Sequence, residues 1–558
     1  MTQEPSFDES EAALAIAADS EGLAKNSAVQ AVGTFVSRIL GFIRTAMLTF
    51  VVGGSLASDV FQIANQLPTQ LYVLISDGLL TAILIPQITK AMLNKERGQD
   101  FINRLLTLAL IVLFGATALS MAVTPGLVWI LAADKGPEAH ALALALAFLC
   151  MPQIFFYGLY SVLGQVLNAR GRFAEYAWAP AWANVVQIAG LAAFIVWYGY
   201  SPDPGAWTTA MIWLLGGTTT LGIVIQGLWL MIPLRRSGFT YRPRFGWRGH
   251  GFATASRMAL WSFAAIGVSQ LGGFFATWAM SAARGTAVDV PGQGSQQFAY
   301  SLFILPHSMI TVSVVLALFP AMSRAYRSED LQAQRVLVNQ GLRAPTVLTI
   351  PASAALIALS LPLIRTIYWL DASATKDVAL ILAAMAIGLL PFGITTLKHN
   401  YLFAREAGRL NFILMLIQTL VQVAFSLGAV FLVTPKYAVV TISLGATLAT
   451  VVISVLFIGI LKQQLEGLPM GVTYRLWTRL ILASIVAGGA SWYASGLVAG
   501  EGDPRVMQLI ALLVGSLVFV LCGLVMARVL KITEITDVLN KIFNRLNPKK
   551  YHPRRQQG

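Results

Sequence analysis

The sequence predicts an all-α polytopic membrane protein with 14 transmembrane helices, arranged as two six-helix lobes related by duplication plus two C-terminal helices. Three observations carry that expectation. Hydrophobic residues make up 56% of the 558 and charged residues only 11%, where soluble domains carry about 25% charged; mean hydropathy is +0.69. Apolar runs of about 20 to 30 residues recur from end to end, and about 20 residues of helix cross a bilayer. Prolines recur at matching places on either side of one long polar break.

In chain order, residues 1–26 set Glu4, Asp8, Glu9, Glu11, Asp19 and Glu21 against a single Lys25. That composition reads as a disordered acidic cytoplasmic tail and not as a secretory signal. An N-lobe follows over 27–232, with spans near 28–52, 59–89, 104–131, 140–168, 173–198 and 206–232. Residues 233–253, PLRRSGFTYRPRFGWRGHGFA, form a cytoplasmic linker. The C-lobe, 254–462, takes spans near 254–282, 296–322, 342–370, 378–403, 410–433 and 437–461. Two more spans, near 476–498 and 506–530, occupy 463–530, and 531–558 is a basic cytoplasmic tail.

Duplication is written in the proline placement. The second span holds Leu67-Pro68 and Ile85-Pro86, and the eighth holds Leu305-Pro306 and Phe319-Pro320. The fourth holds Met151-Pro152 and ends in a basic turn at Arg170 and Arg172; the tenth holds Leu390-Pro391 and ends at Arg405 and Arg409. A proline removes a helix hydrogen bond and breaks or bends the rod, so matching prolines imply matching bends. Six spans separate the halves, so both run in the same sense, as in transporters that rock about a central cavity.

Basic residues set the orientation. With the N-terminus inside, 31 of the 39 Lys and Arg fall in cytoplasmic segments and five outside, namely Lys135, Arg284, Lys376, Lys436 and Arg505. Arg38, Arg44 and Arg365 remain within spans. This places both termini in the cytoplasm and accounts for a net charge of +14 without any nucleic-acid partner.

Enzymatic chemistry finds no foothold. Cys150 and Cys522 lie inside apolar runs. His140, His250, His307, His399 and His552 have no second histidine or carboxylate at metal-ligand spacing, so neither a metal nor another cofactor is expected. His307, beside Pro306, reads either as a cavity residue or as a hydrogen-bonded structural one. Lys398, within two turns of the inner interface, is expected to snorkel.

The residues that stand out are Arg38 and Arg44, in the middle of the first span with no acid to neutralise them. An arginine at the bilayer centre costs on the order of 2.5 to 3.5 kcal/mol even on the lenient insertion scale. Two of them, about 120° apart around the helix, are expected to flank a cavity and meet something negative. Intramembrane acids are few: Asp59 opens the second span, Asp77 sits in its inner half before Gly78, and the interiors of spans seven to fourteen have none. Asp59 reads equally as a helix cap.

The stretches SRILGFIR (37–44), SDVFQIANQLPTQLYVLISDGLLTAILIPQ (58–87) and LNARGRFAEYAWAPAWANVVQ (167–187) resemble the MurJ/MviN lipid II flippases. These belong to the multidrug/oligosaccharidyl-lipid/polysaccharide exporter superfamily. The resemblance covers roughly residues 27–530 and is stronger in the first lobe. It implies a transporter of the bacterial cytoplasmic membrane that moves undecaprenyl-diphosphate-linked peptidoglycan precursor, lipid II, from the inner to the outer leaflet for cell-wall synthesis. It implies a substrate cavity around Ser37, Arg38, Arg44, Asp59, Tyr72, Asp77 and Ser301, with the family's essential arginines and acids falling on Arg38, Arg44, Asp59 and Asp77. The chain departs from the pattern in having Tyr72 and Val73 where many members carry arginine, and Ser301 and Ile304 where an Arg and a Glu precede the eighth-helix proline. Spans thirteen and fourteen, with Gly488, Gly489 and Gly515 permitting close helix approach, are expected to form a groove for the lipid tail. Membrane lipids are the other partners implied, with room for contact with peptidoglycan synthases. The alternatives are a flippase for another polyprenyl-diphosphate-linked saccharide, a multidrug antiporter of the same superfamily, or a non-transporting scaffold.

Overall fold

The computed structural model describes residue 29 and residues 32–75, 98–170, 172–245, 256–287, 289–500 and 502–535. The acidic N-terminal tail, Asp77 and most of the basic C-terminal tail lie outside the described residues. Regular structure among the described residues is helical throughout. Twelve of these helices are long and apolar enough to cross a membrane, or up to 13 counting one bent pair as a single span. They are α1 (Val32–Val52), α3 (Gly98–Ala132), α4 (Pro137–Asn168), α5 (Phe173–Trp197), α6 (Thr209–Arg236), α7 (Ser256–Arg284), α8 (Gln293–Arg327), α9 (Leu331–Ala358), α10 (Ala372–Ala386 with Leu389–Ala404), α11 (Gly408–Phe431), α12 (Pro435–Gln464), α13 (Gly471–Val498) and α14 (Arg505–Val529). With α2 (Leu56–Ile75), whose continuation lies outside the described residues, the set is consistent with the 14 expected.

The prolines of the fourth and tenth spans sit at matching breaks, while Pro86 lies outside the described residues. Pro68 lies inside α2 and Pro306 inside α8, where the helix loosens into a π-turn over His307–Thr311. Pro152 follows the end of Pro137–Cys150 within α4, and the two segments of α10 meet at 50° just before Pro391. Helix starts follow local chemistry. Pro137 and Pro435 occupy first-turn positions, where a missing N–H costs nothing. Asp330 and Asp371 cap α9 and α10 by accepting from the backbone N–H of Ala333 at 2.9 Å and Ala374 at 2.7 Å.

The chain divides into two compact units, Met1–Gln270 and Leu271–Gly558. The expected break over 233–253 is thus displaced into α7, and the physical reason is visible on the near side of the linker. Residues 237–245 are fastened back onto the first unit. Asn103 Oδ1 accepts from Arg242 N at 3.2 Å, Arg104 Nη1 donates to the Phe245 carbonyl at 3.0 Å, and Arg170 Nη1 donates to the Ser237 carbonyl at 2.9 Å. The first part of α7 is tied there too, with Gln270 Nε2 donating to the Gln70 carbonyl at 2.8 Å.

In the second unit α13 and α14 pack on each other and on α9. Ser491 Oγ donates to the Gly515 carbonyl at 2.8 Å, and a Cβ at Gly515 would stand 2.5 Å from Leu359 Cδ2. Gly488 makes only ordinary contact distance with Ala354 and Ala358, and a Cβ on Gly489 would meet nothing within 4 Å; of the three glycines, Gly515 is the one a close approach requires. The ninth span also differs from expectation. It begins at Leu331, not near 342, because Leu331–Arg343 is an amphipathic helix burying Gln334, Val338, Gly341 and Leu342, with Pro345 separating it from the apolar segment Thr346–Ala358. Lys398 does not snorkel. It is 1% exposed, with Nζ 3.6 Å from Met415 Sδ. His307 is likewise buried, sharing a hydrogen bond of 3.2 Å between Nε2 and Thr396 Oγ1, which is the structural reading.

Candidate functional site

The site of the first unit is built on the face that α1 turns toward α5. Ser37, Gly41, Arg44 and Val51 recur at helical spacing, so they share one side of α1. Along it, Asn184 Nδ2 donates to the Ser37 carbonyl at 3.0 Å and approaches Ser37 Oγ at 3.4 Å. About two turns further on, Arg44 Nη1 donates to Gln187 Oε1. Near the helix end, Ser201 N donates to the Val51 carbonyl at 2.8 Å. Gln187 is 3% exposed, so its amide is fixed by the packing of α5 against α6: a Cβ on Gly222 would lie 2.7 Å from the Ala183 carbonyl oxygen and 2.9 Å from Gln187 Nε2. No residue but glycine leaves Gln187 where it is.

Around Arg44 the polar groups are neutral. Tyr157 of α4 is within electrostatic reach of the guanidinium, and its hydroxyl donates to Gln153 Oε1 at 3.5 Å. Its ring meets that of Tyr72, 5.5 Å between centroids. Gln153, one turn before Tyr157, is fully buried and donates through Nε2 to Thr220 Oγ1 of α6 at 2.9 Å. Amide and hydroxyl side chains of α2, α4, α5 and α6 thus gather on this side of the first unit, and none of them neutralises the guanidinium. Arg38, 120° away around α1, is half-buried, and among the described residues it has no hydrogen bond or ion pair.

Asp59 is placed differently from the expectation that it lines the cavity. Its side chain and that of Lys135 are both 0% exposed and form an ion pair of 3.4 Å between Oδ2 and Nζ. Asp59 lies in the first turn of α2, and Lys135 ends the 3-10 turn Ala133–Lys135 after α3. Lys135 therefore belongs to the packed end of the first unit and not to an open loop. The physical reason is mutual: a buried charge persists only with a partner. Ser301 belongs to the second unit, where its Oγ lies 2.6 Å from the Tyr368 hydroxyl. Asp77 falls outside the described residues.

Sequence reading singled out the arginines but missed Gln153, Tyr157, Asn184, Gln187 and Thr220. The signal was present as polar side chains inside apolar runs. What was lacking is that residues on three separate spans converge beside the first.

A helical membrane protein with duplicated, proline-bent segments and an unneutralised arginine pair in its first span has the fold and the charge of an exporter of anionic lipid-linked substrates. A family profile described as "Lipid II flippase MurJ" matches residues 48–513, and the chain belongs to that family. Among its relatives is a "Probable lipid II flippase MurJ" of Vibrio cholerae, 25% identical over 409 residues, 69% of this chain and 74% of that protein. The same description is carried by a protein of Haemophilus influenzae, 23% identical over 82% of this chain and 90% of its own. A Synechocystis protein so described is 22% identical over 94% of this chain and 99% of its own. Among solved structures, a lipid II flippase MurJ in an inward closed conformation superposes with a TM-score of 0.68 at 20% identity, covering 90% of this chain and 99% of that one. An inward-facing multidrug resistance MATE transporter gives 0.62 at 15% identity, over 77% and 94%. At these identities both likenesses speak for the fold.

Proposed function

We propose that this protein flips lipid II from the inner to the outer leaflet of the bacterial cytoplasmic membrane by alternating access, with both termini in the cytoplasm. One observation carries the reading: Arg38 and Arg44 stand at mid-span in α1 with no carboxylate partner among the described residues. A diphosphate brings about two negative charges, which guanidinium forks bind through paired, charge-assisted hydrogen bonds. Those contacts strengthen where the local dielectric is low. Arg38, with its donors uncommitted, receives the phosphates first, and Arg44, aimed by Gln187, completes the clamp. Ser37 and Tyr72 lie in the same region of the first unit, and Asp59 supports it from the packed end. The polyprenyl tail stays in hydrocarbon along α13 and α14, whose exposed faces carry Leu482 and Ile485, and Leu513 and Leu517, respectively. Synthases that polymerise the exported precursor are the natural protein partners.

A proton- or sodium-driven multidrug antiporter needs a buried carboxylate. Among the described residues of α7–α14, the acid that enters a helix is Asp377, in the second turn of α10 and paired with Lys436 at 2.8 Å. The decisive experiment is depletion of the protein in growing cells followed by leaflet assignment of lipid II, with complementation by Arg38→Ala and Arg44→Ala. The precursor accumulates in the inner leaflet, and neither variant restores growth although both insert in the membrane. Full complementation by both variants refutes the proposal and favours a scaffold.

A further inference from the structure

The second unit holds another pair of arginines with no acid. Arg365 lies in the last turn of the short helix Ser360–Ile367, and Arg505 opens α14. Both reach back to one three-residue stretch. Arg365 Nη1 donates to the Leu370 carbonyl, and Arg505 Nη2 donates to the Tyr368 carbonyl at 3.0 Å. Between those two carbonyls sits Trp369, with the Arg505 guanidinium over its ring, 4.5 Å from the centroid. The two guanidiniums are thus anchored to carbonyls two residues apart. Neither forms an ion pair among the described residues. Among the described residues, the acids nearest in sequence are otherwise engaged: Asp371 caps α10 by accepting from Ala374 N, and Asp503 accepts from Gly500 N in the loop before α14.

Two positive charges drawn together without a counter-charge repel each other, so their arrangement stabilises the protein only when an anion joins them. Each guanidinium has five N–H donors, and one carbonyl apiece leaves most of them unused. Arg365 Nε and the Thr366 hydroxyl are buried without a hydrogen-bond partner. Trp369 is 45% exposed, in the position of an aromatic residue at a membrane–water interface.

We propose that Arg365 and Arg505, with Thr366, bind the phosphate group of a lipid in the outer leaflet, while Trp369 packs against its glycerol or first methylenes. That this end faces outward rests on the orientation proposed above; the binding itself does not depend on transport. Two lipids offer the same chemistry: the exported polyprenyl diphosphate, held as it leaves, and a resident anionic phospholipid.

The test is equilibrium binding to the purified full-length protein in neutral detergent. The probes are short-chain phosphatidylglycerol and, as a zwitterionic control, short-chain phosphatidylcholine. Phosphatidylglycerol binds more tightly, loses affinity as ionic strength rises, and is weakened at least about tenfold in Arg365→Gln/Arg505→Gln. Arg38→Ala leaves this binding unchanged, which separates the site from the proposed transport arginines. Should the double variant fail to purify as a monodisperse species, Arg505→Gln alone and the salt dependence of the wild type carry the test. Competition with undecaprenyl diphosphate identifies the source: displacement at lower concentration than a phospholipid assigns the exported carrier, and weaker displacement assigns the resident lipid. Equal affinity for the two phospholipids, or unchanged affinity in the variants, overturns the proposal.

Discussion

Replacing either partner of the Asp59–Lys135 pair tests whether that acid serves the substrate or the architecture. In Asp59→Asn the Lys135 ammonium is left in a site with no exposure. Either single variant breaks a buried pair and is expected to cost roughly 3 to 5 kcal/mol. The double variant Asp59→Asn/Lys135→Met leaves no buried charge, and its cost is expected to be near zero, so the coupling is of the order of several kcal/mol. Thermal unfolding of the purified protein in detergent reads the stability, and growth complementation reads transport. The reasoning fails if the single variants are as stable as the wild type, or if the double variant is as unstable as the sum of the two. If Asp59→Asn is stable yet inactive, and Lys135→Met does not restore it, Asp59 acts on the substrate directly.

Removing the amide that aims Arg44, with Gln187→Leu, should slow flipping in a reconstituted leaflet assay while leaving the protein folded, and Arg44→Lys should not restore function because an ammonium lacks the fork. Collapse of the membrane potential should slow export: an anion moving outward from a negative interior gains roughly 2.3 kcal/mol per charge per 100 mV, and a rate independent of potential would refute that coupling. Gly222→Ala should destabilise the first unit by about 1 to 3 kcal/mol and reduce transport with it, since its Cβ would press on the Ala183 carbonyl and Gln187; unchanged melting and activity would show that α5 and α6 yield. Burial disfavours the Glu534 carboxylate, but its own backbone N–H and the Arg343 guanidinium at 2.8 Å outweigh that and hold its ionisation below the usual range. The stability this adds, at most about 1 kcal/mol for a partly exposed pair, is present above the ordinary carboxylate value and lost as pH falls through the lowered one. Proteolytic release of the C-terminal tail should accordingly rise only in strong acid in the wild type, and already at neutral pH in Glu534→Gln.

Much of the fold is legible in the sequence because an uninterrupted apolar run of about 20 residues admits few structures, and Pro152 and Pro391 mark the breaks in the fourth and tenth spans. The start of α9 is not, since Leu331–Arg343 buries one face only and its mean composition is polar. Lys135 was assigned to a loop on charge alone, when its position is decided by a carboxylate 76 residues away. The arginines announced themselves by being costly where they stand. Gln187 did not, because an amide in a long apolar run is cheap enough to pass as packing until Arg44 is seen beside it.

That choice of an amide has a further result. Had a carboxylate oriented Arg44, every arriving phosphate would first have to evict a rival of its own sign, and every departure would be hastened by that rival's return. On the reading proposed above, Gln187 steadies the guanidinium and makes no claim on its charge, so the same side chain would stay ready for cargo after cargo, with the strength of the grip set by the passenger alone.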